Sequence, residues 1–514
     1  MQRALSAISY GHRNSVKARI SDTNAFEAFH FLPIVKESIT TQALPGLDDV
    51  TPTPVQRLAI PALLGQNVGL SRGRRPKDGR KDLEQFLIAA ETGSGKTLAY
   101  LLPVLDAIKR AETIEMEMQA KNHALEEEQR KNRNPFELES PPLSNRPHPT
   151  TGRPRAIILL PTAELVNQVG SLAKLLSHTI KFRSALISSS YSGKVIRNRI
   201  FAPTGIDVLI STPHLLSSIA ESDPNILSRV SHLVIDEADS LLDRSFAPST
   251  SAIIDKATPS LRQLILCSAT IPRSLDSFLR KRFPDIRRLV TPNLHAIPRR
   301  VQLGVVDVVK EPYRGNKDLA CADTIWSIGK AAAAHVIAPT PGTTETQRVD
   351  LKRILVFVNE REKTQELADY LNSKGIEATA LNRDTPEQRQ PEILEVFTSP
   401  AVQTVPIGSA LTPTKPGESN YIPAHRSAPP ARRHLPNTKV LVSTDLGSRG
   451  IDTLAVRHVI LYDVPHSTID FIHRLGRTGR MGRRGRGIVL VGRGDRHDVV
   501  SEVKEGMFRG QALI

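Results

Sequence analysis

The chain has 514 residues, 39% hydrophobic and 24% charged, which fits two or three globular domains and includes no apolar run near the ~20 residues of a membrane helix. Its only cysteines, Cys267 and Cys321, exclude a disulfide framework or a cysteine zinc cage and fit a reducing compartment. Lys plus Arg exceed Asp plus Glu by 69 − 53, a formal charge of +16 that suits a polyanionic partner, while 4% aromatics argue against binding through rows of stacked bases.

In chain order, residues 1–25 read as an N-terminal extension. Arg3, Arg13, Lys17 and Arg19 stand in a stretch without acids, which resembles a mitochondrial presequence and equally a basic surface extension. The apolar stripe Phe26, Phe29, Leu32, Ile34, Val35 and Ile39 predicts a helix, and Pro45, Gly46, Pro52 and Pro54 then break the chain. Residues 86–90 read as a buried strand and 98–110 as the helix after it. Further short apolar runs at 156–160, 208–211, 233–235 and 264–267 read as strands. The pattern recurs at 354–358, 439–443, 459–462 and 487–491. Such alternation predicts an α/β fold of two doubly wound domains, each a mostly parallel sheet flanked by helices. They are placed at 26–298 and 299–498, with a tail at 499–514. Residues 72–81 are basic, 109–155 begin as a charged helical run and end Pro-rich, and 399–438 are rich in Pro and Ser; all three read as insertions on surface loops.

Three clusters carry chemistry. Glu91-Thr92-Gly93-Ser94-Gly95-Lys96-Thr97 follows a strand and opens a helix. Its glycines let backbone N–H groups close around phosphates, Lys96 can reach the β- and γ-phosphates, and the Thr97 hydroxyl can ligate Mg²⁺. Asp236-Glu237-Ala238-Asp239 follows Leu233-Val234-Ile235, a strand expected beside that of the phosphate loop. Asp236 is placed to be the second Mg²⁺ contact, and Glu237 to activate water. His473-Arg474-Leu475-Gly476-Arg477-Thr478-Gly479-Arg480 spaces arginines three apart, as arginine fingers or as a basic phosphate-binding loop.

These motifs, in this order, resemble the DEAD-box ATP-dependent RNA helicases of superfamily 2, with two RecA-like domains. The resemblance runs from about Phe26 to Val491. It implies that Gln56 reads the adenine edge and Phe26 packs on the base. It makes Ser268-Ala269-Thr270 the link between hydrolysis and strand separation. Leu355-Val356-Phe357-Val358-Asn359 opens the nucleic-acid face of the second domain. The stretch Ser443 to Asp452 resembles the motif that touches RNA through Thr444 and the ribose through Asp452, and the same resemblance implies that Arg477 and Arg480 are the fingers and that His473 couples. Thr162, Gly193 and Thr212 mark RNA contacts, and the cofactors implied are ATP and Mg²⁺.

The sequence departs from the family on its RNA side. Ala163 and Leu215 stand where arginines are expected, the Gly-Gly loop is reduced to Ser192-Gly193, and Gln388-Arg389 replaces a Gln-x-x-Arg. Each lost phosphate contact lowers the salt slope by about 0.7 for a single strand. Basic stretches at 72–81 or Arg432-Arg433 are candidates to compensate. The wording of the Ser443 to Asp452 stretch and the basic charge resemble fungal mitochondrial members, which act on ribosomal RNA during large-subunit assembly. The partner expected is therefore RNA, with neither DNA nor membrane. An ATP-gated RNA clamp or assembly scaffold with little unwinding is the alternative. Cys267 reads as a buried filler, Trp326 as packed in or near the second domain, and His425 and His434 as loop residues.

Overall fold

The computed structural model describes residues 20, 25–44, 50–66, 83–131, 148–243, 245–292, 294, 297, 300–330, 334–335, 348–382, 385, 389–398, 404–406, 434–445, 456–479 and 484–509. The chain forms two compact units, one running to His295 and the other from Ala296 to Leu513.

The first unit is built on seven strands: β1 (Glu84–Ala89), β2 (Ala156–Leu159), β3 (Ser184–Ile187), β4 (Val208–Ser211), β5 (His232–Ile235), β6 (Gln263–Ser268) and β7 (Arg287–Val290). They are parallel and lie in the order β3-β4-β2-β5-β6-β1-β7. Every residue of β2, β4 and β5 is buried, as a sheet covered on both faces requires. Side chains of successive strand residues alternate between two cores. Phe86, Ile88, Ile158, Ile210, Val234, Ile265 and Cys267 enter one, and Leu87, Ala89, Ile157, Leu159, Leu209, Leu233 and Leu266 enter the other. Cys267 is thus the buried filler expected.

The second unit holds β8 (Val301–Asp307), β11 (Lys352–Phe357), β12 (Ile376–Leu381), β14 (Leu435–Ser443), β15 (His458–Leu461) and β16 (Gly485–Val491), all parallel, in the order β12-β14-β11-β15-β16-β8. A separate antiparallel ribbon joins β9 (Ala334–His335), β10 (Arg348–Asp350) and β13 (Thr404–Pro406). Ile354, Val356, Val440, Val442, Ile460, Ile488 and Leu490 form one core, with Trp326 of helix Lys317–Lys330 packed against it.

Some elements differ from the sequence expectation. The Phe26–Ile39 stripe is broken: a 3₁₀ turn Phe26–Ala28 precedes helix Pro33–Ser38, which starts at Pro33 because proline pre-sets φ and needs no N–H partner there. The helix expected at 98–110 and the charged helical run expected at the start of the 109–155 insertion are one continuous helix, Lys96–Lys131. The strands β3, β7, β8 and β12 escaped prediction. β3 and β12 alternate buried with exposed or half-buried residues, and β8 buries only Val301. β7 opens with Arg287-Arg288. β13 and the start of β14 lie within the stretch 399–438 that reads as a loop.

Candidate functional site

All strands of the first sheet point the same way, so the residues after them collect along one edge. In sheet order that edge carries Gly193 in the segment after β3, Thr212 after β4, Thr162 after β2, Asp236 and Glu237 after β5, Ser268 to Thr270 at the end of β6, and 91–97 after β1. The sites expected for RNA share one half, β3-β4-β2, and those expected for nucleotide the other, β5-β6-β1. Five strand spacings, about 24 Å, separate the extremes. Ligands bind at this carboxyl edge in open α/β sheets. One expectation is corrected: β5 does not adjoin β1, because β6 lies between them. The strand bearing Ser268-Ala269-Thr270 is thereby inserted between the phosphate loop and the acidic motif.

The phosphate loop leaves β1 with left-handed glycines, Gly93 at φ 72° and Gly95 at φ 90°. Lys96 is buried, and its Nζ donates to the carbonyls of Ala90 (2.8 Å) and Glu91 (3.0 Å). Ser94 Oγ is buried without a partner. Gln56 opens the helix Pro54–Leu63; its Oε1 accepts from Thr53 N (2.8 Å) and its Nε2 donates to Gly95 O (3.3 Å). Gln56 therefore braces the loop from outside, and a Cβ at Gly95 would meet Gln56 Nε2 at 2.8 Å. Glu91 Oε2 accepts from Thr291 Oγ1 at 3.3 Å. Phe26 is buried edge-on against Phe29, with ring centroids 5.9 Å apart.

Tyr100, one helical turn beyond Lys96, was not singled out from sequence. It is fully buried, and its hydroxyl donates to Asp236 Oδ2 at 3.1 Å. Asp236 Oδ1 accepts from Glu237 N at 2.9 Å. Burial, and next the neighbouring Glu237 charge, holds the Asp236 carboxyl above the usual carboxylate range, while Lys96 pulls the other way. Burial also pushes the Tyr100 hydroxyl up, and Asp236 adds to it. Glu237 sits in the left-handed region at φ 52°, a conformation costing a non-glycine about 1–3 kcal/mol that marks a specially held position. Asp239, the last acid of the motif, accepts from Thr270 Oγ1, and Ser268 Oγ donates to Thr270 O at 2.7 Å. The end of β6 is thus hydrogen-bonded to the acidic motif after β5.

Among the described residues, no cluster of three His, Cys, Asp or Glu could hold a metal ion by itself. The residues nevertheless fit Mg²⁺ with nucleotide. The donor set at this edge includes a buried carboxylate at Asp236, Thr97 next to buried Lys96 and a Ser94 hydroxyl buried without a partner, groups that phosphate oxygens and a hard cation would satisfy. A cavity of about 670 Å³, lined by Glu84, Arg155, Arg229, His232 and Arg262, opens at the amino ends of β1, β5 and β6. It lies at the opposite edge and takes no part in this site.

On the half expected for RNA, Thr162 caps helix Ala163–Ile180, its Oγ1 accepting from Leu165 N at 3.3 Å. Thr212 is the N-cap residue of helix Pro213–Ser222. His214 stacks on Phe246 with centroids 4.9 Å apart and meets Ser249 Oγ at 3.0 Å, while Leu215 packs partly into the core. A Cβ at Gly193 would find nothing within 4 Å.

In the second unit the same logic brings Thr444 after β14, Asn359 after β11 and Asp463 after β15 to one edge. Arg474, on helix Thr468–Leu475, ties them together. It grips Asp445 with two bonds of 2.7 Å, donates to Asn359 Oδ1 at 2.7 Å and to Asp463 O at 3.2 Å, and is almost fully buried. Spacing alone had not separated this structural arginine from the fingers. His473 and Arg477 are buried in the same segment, and Thr478 Oγ1 donates to Val456 O at 3.0 Å. Arg480, Asp452, Gln388, the 72–81 stretch, Arg432-Arg433 and His425 lie outside the described residues. His434 is exposed, as a loop residue would be.

Residues 53–278 match the DEAD/DEAH box helicase family, and residues 432–482 the helicase conserved C-terminal domain. The chain is 68% identical to the mitochondrial ATP-dependent RNA helicase mrh4 of Sclerotinia sclerotiorum, over 100% of this chain and 82% of that protein. It is 59% identical to MRH4 of Pyricularia oryzae, over 100% of this chain and 78% of that one. In fold it resembles Mss116p bound to ssRNA and AMP-PNP (TM-score 0.63, 18% identity, 93% of this chain and 75% of that one). It also resembles S. cerevisiae Dbp5 bound to RNA and ADP BeF3 (TM-score 0.58, 19% identity, 96% of this chain and 94% of that one). The two parallel sheets are the tandem RecA-like domains expected, and the chain belongs to the DEAD-box family, within its fungal mitochondrial ATP-dependent RNA helicases.

Proposed function

We propose that this mitochondrial ATP-dependent RNA helicase runs its cycle along the carboxyl edge of the first sheet, with nucleotide on the β5-β6-β1 half and RNA on the β3-β4-β2 half. The observation that carries the reading is the pair of hydrogen bonds from Tyr100 to Asp236 and from Thr270 to Asp239, which tie the helix after β1 and the end of β6 to the acidic motif after β5. In this reading 91–95 wrap the phosphates, Lys96 leaves its two carbonyls for the β- and γ-oxygens, and Gln56 selects adenine. Mg²⁺, held by Thr97 and Asp236 with the phosphates, would neutralise charge on the transferring group. Glu237 orients and deprotonates the attacking water. Arg477 and Arg480 act as arginine fingers that stabilise the developing charge. Thr162, Gly193, Thr212 and Thr444 hold the RNA backbone, Asp452 the ribose, and Ser268, Thr270 and His473 couple the two ligands.

The test is steady-state ATP hydrolysis with and without single-stranded RNA, beside Glu237→Gln. Hydrolysis that rises with RNA and vanishes in the variant supports the reading; RNA-independent hydrolysis overturns the coupling. The missing arginines at 163 and 215 favour, as a second reading, an ATP-gated clamp that unwinds little. Duplex unwinding measured at matched hydrolysis separates the two. We assign the substrate to ribosomal RNA of the mitochondrial large subunit. Crosslinking in mitochondria should recover that RNA, and recovery of messenger or transfer RNA instead would refute the assignment.

A further inference from the structure

The outer end of the RNA half carries positive charge that the sequence motifs did not single out. Between β3 and β4 the chain turns at Tyr191 and forms helix Gly193–Ile200, which contains Lys194, Arg197 and Arg199 and no acid. Lys194 and Arg197 are three apart and so lie on one helix face. Both are exposed, and neither is engaged by a carboxylate among the described residues. Arg199 serves differently. Its guanidinium lies 3.9 Å from the centroid of the Tyr191 ring, and its Nη1 donates to Leu186 O at 2.8 Å. The Tyr191 hydroxyl donates to Asn167 Oδ1 at 3.3 Å, on the helix that Thr162 caps. The ring is therefore braced at both ends while staying half-exposed.

We infer that Lys194 and Arg197 hold RNA phosphates and that Tyr191 is a rigid shelf for an adjoining sugar or base. Together they supply, at the β3 end, contacts lacking at Ala163 and Leu215. The inference rests on the helicase reading above and adds to it the residues by which this chain retains RNA. Ion pairing to phosphate is salt-dependent and independent of base sequence, whereas contact with a ring face is nearly insensitive to salt.

The experiment is equilibrium binding of a fluorescein-labelled single-stranded oligouridylate to the full chain with AMP-PNP and Mg²⁺, across a KCl series. Lys194→Gln/Arg197→Gln should lower the slope of log K against log salt by about 1.4, with a loss of about 25-fold near 0.1 M salt. Tyr191→Ala should weaken binding at least about fivefold at unchanged slope. Lys174→Gln/Lys256→Gln removes the same charge from exposed positions elsewhere and should leave the slope unchanged. The slope does not depend on the fraction of active protein, so a partly misfolded variant cannot imitate the result. A slope for the Lys194/Arg197 variant equal to that of the control overturns the inference alone. Failure of the unsubstituted chain to bind RNA removes the helicase reading and the inference together.

Discussion

Replacing Arg474 by alanine should destabilise the second unit while leaving the first unaffected. The side chain makes four hydrogen bonds to Asp445, Asn359 and Asp463, from three strand ends, and its guanidinium lies 5.4 Å from the Phe357 ring centroid. Truncation takes two charge-assisted hydrogen bonds from the Asp445 carboxylate, which is only 30% exposed, and one from Asn359 Oδ1. Breaking a pair of this kind by deleting one partner costs about 3–5 kcal/mol. The chain has a single tryptophan, Trp326, packed against the core of the second unit, so its fluorescence follows that unit's unfolding in the intact chain. With a urea slope of about 2–3 kcal/mol per M for a unit of this size, the midpoint should fall by about 1–2.5 M. Arg474→Lys keeps the charge but not the planar fork, and should fall between wild type and alanine. A midpoint shift below about 0.3 M would show that the clamp contributes no more than an ordinary surface pair and would refute the reasoning.

Other outcomes follow from the same geometry. Gly95→Ala puts a methyl 2.8 Å from Gln56 Nε2 at φ 90°; nucleotide-analogue affinity should fall by at least tenfold, and unchanged affinity in titration calorimetry would contradict the loop geometry. Tyr100→Phe removes one of the two hydrogen bonds orienting Asp236, so the Mg²⁺ concentration for half-maximal hydrolysis should rise several-fold at little change in ATP binding without metal; an unchanged Mg²⁺ requirement would count against it. Burial, and then Arg262, pulls His232 down to about 4, and burial with Lys352, Arg486 and Arg457 does the same to His458. Both stay neutral in the folded chain while the unfolded chain takes up protons near pH 6.5. The unfolded state then binds more protons, so stability falls as pH drops from about 6.5 to about 4. His232→Gln or His458→Gln should each flatten that slope by about one proton in urea titrations followed by circular dichroism and Trp326 fluorescence, and an unaltered slope would refute the burial argument.

The motifs that announce nucleotide and RNA chemistry were legible because their chemistry needs particular residues at close spacing. Gly93, Gly95, Lys96 and Thr97 lie on one turn, and Asp236 and Glu237 are adjacent. Strands buried on both faces were legible for a similar reason: a run such as Ile157-Ile158-Leu159 has no exposed position to interrupt it. Half-buried strands such as β3 and β12 were not, since alternation of buried with exposed or half-buried positions resembles loop sequence over so few residues. The Phe26–Ile39 stripe promised one helix, and Pro33 divided it.

What the sequence by itself determined is the reaction class, through short contiguous motifs whose local backbone makes the site. Which side chains serve that site from a distance was decided only by tertiary structure. Tyr100 and Asp236 are 136 positions apart, and Arg474 and Asn359 are 115 apart. Nothing in either local stretch encodes the pairing. It arises because parallel strands deliver all their carboxyl ends to one edge, and because the strand order, with β6 between β1 and β5, is set by packing two cores against one sheet. The same ordering puts Lys194 and Arg197 on the half of the edge that carries Thr162 and Thr212, a proximity that charge counting along the chain could not reveal.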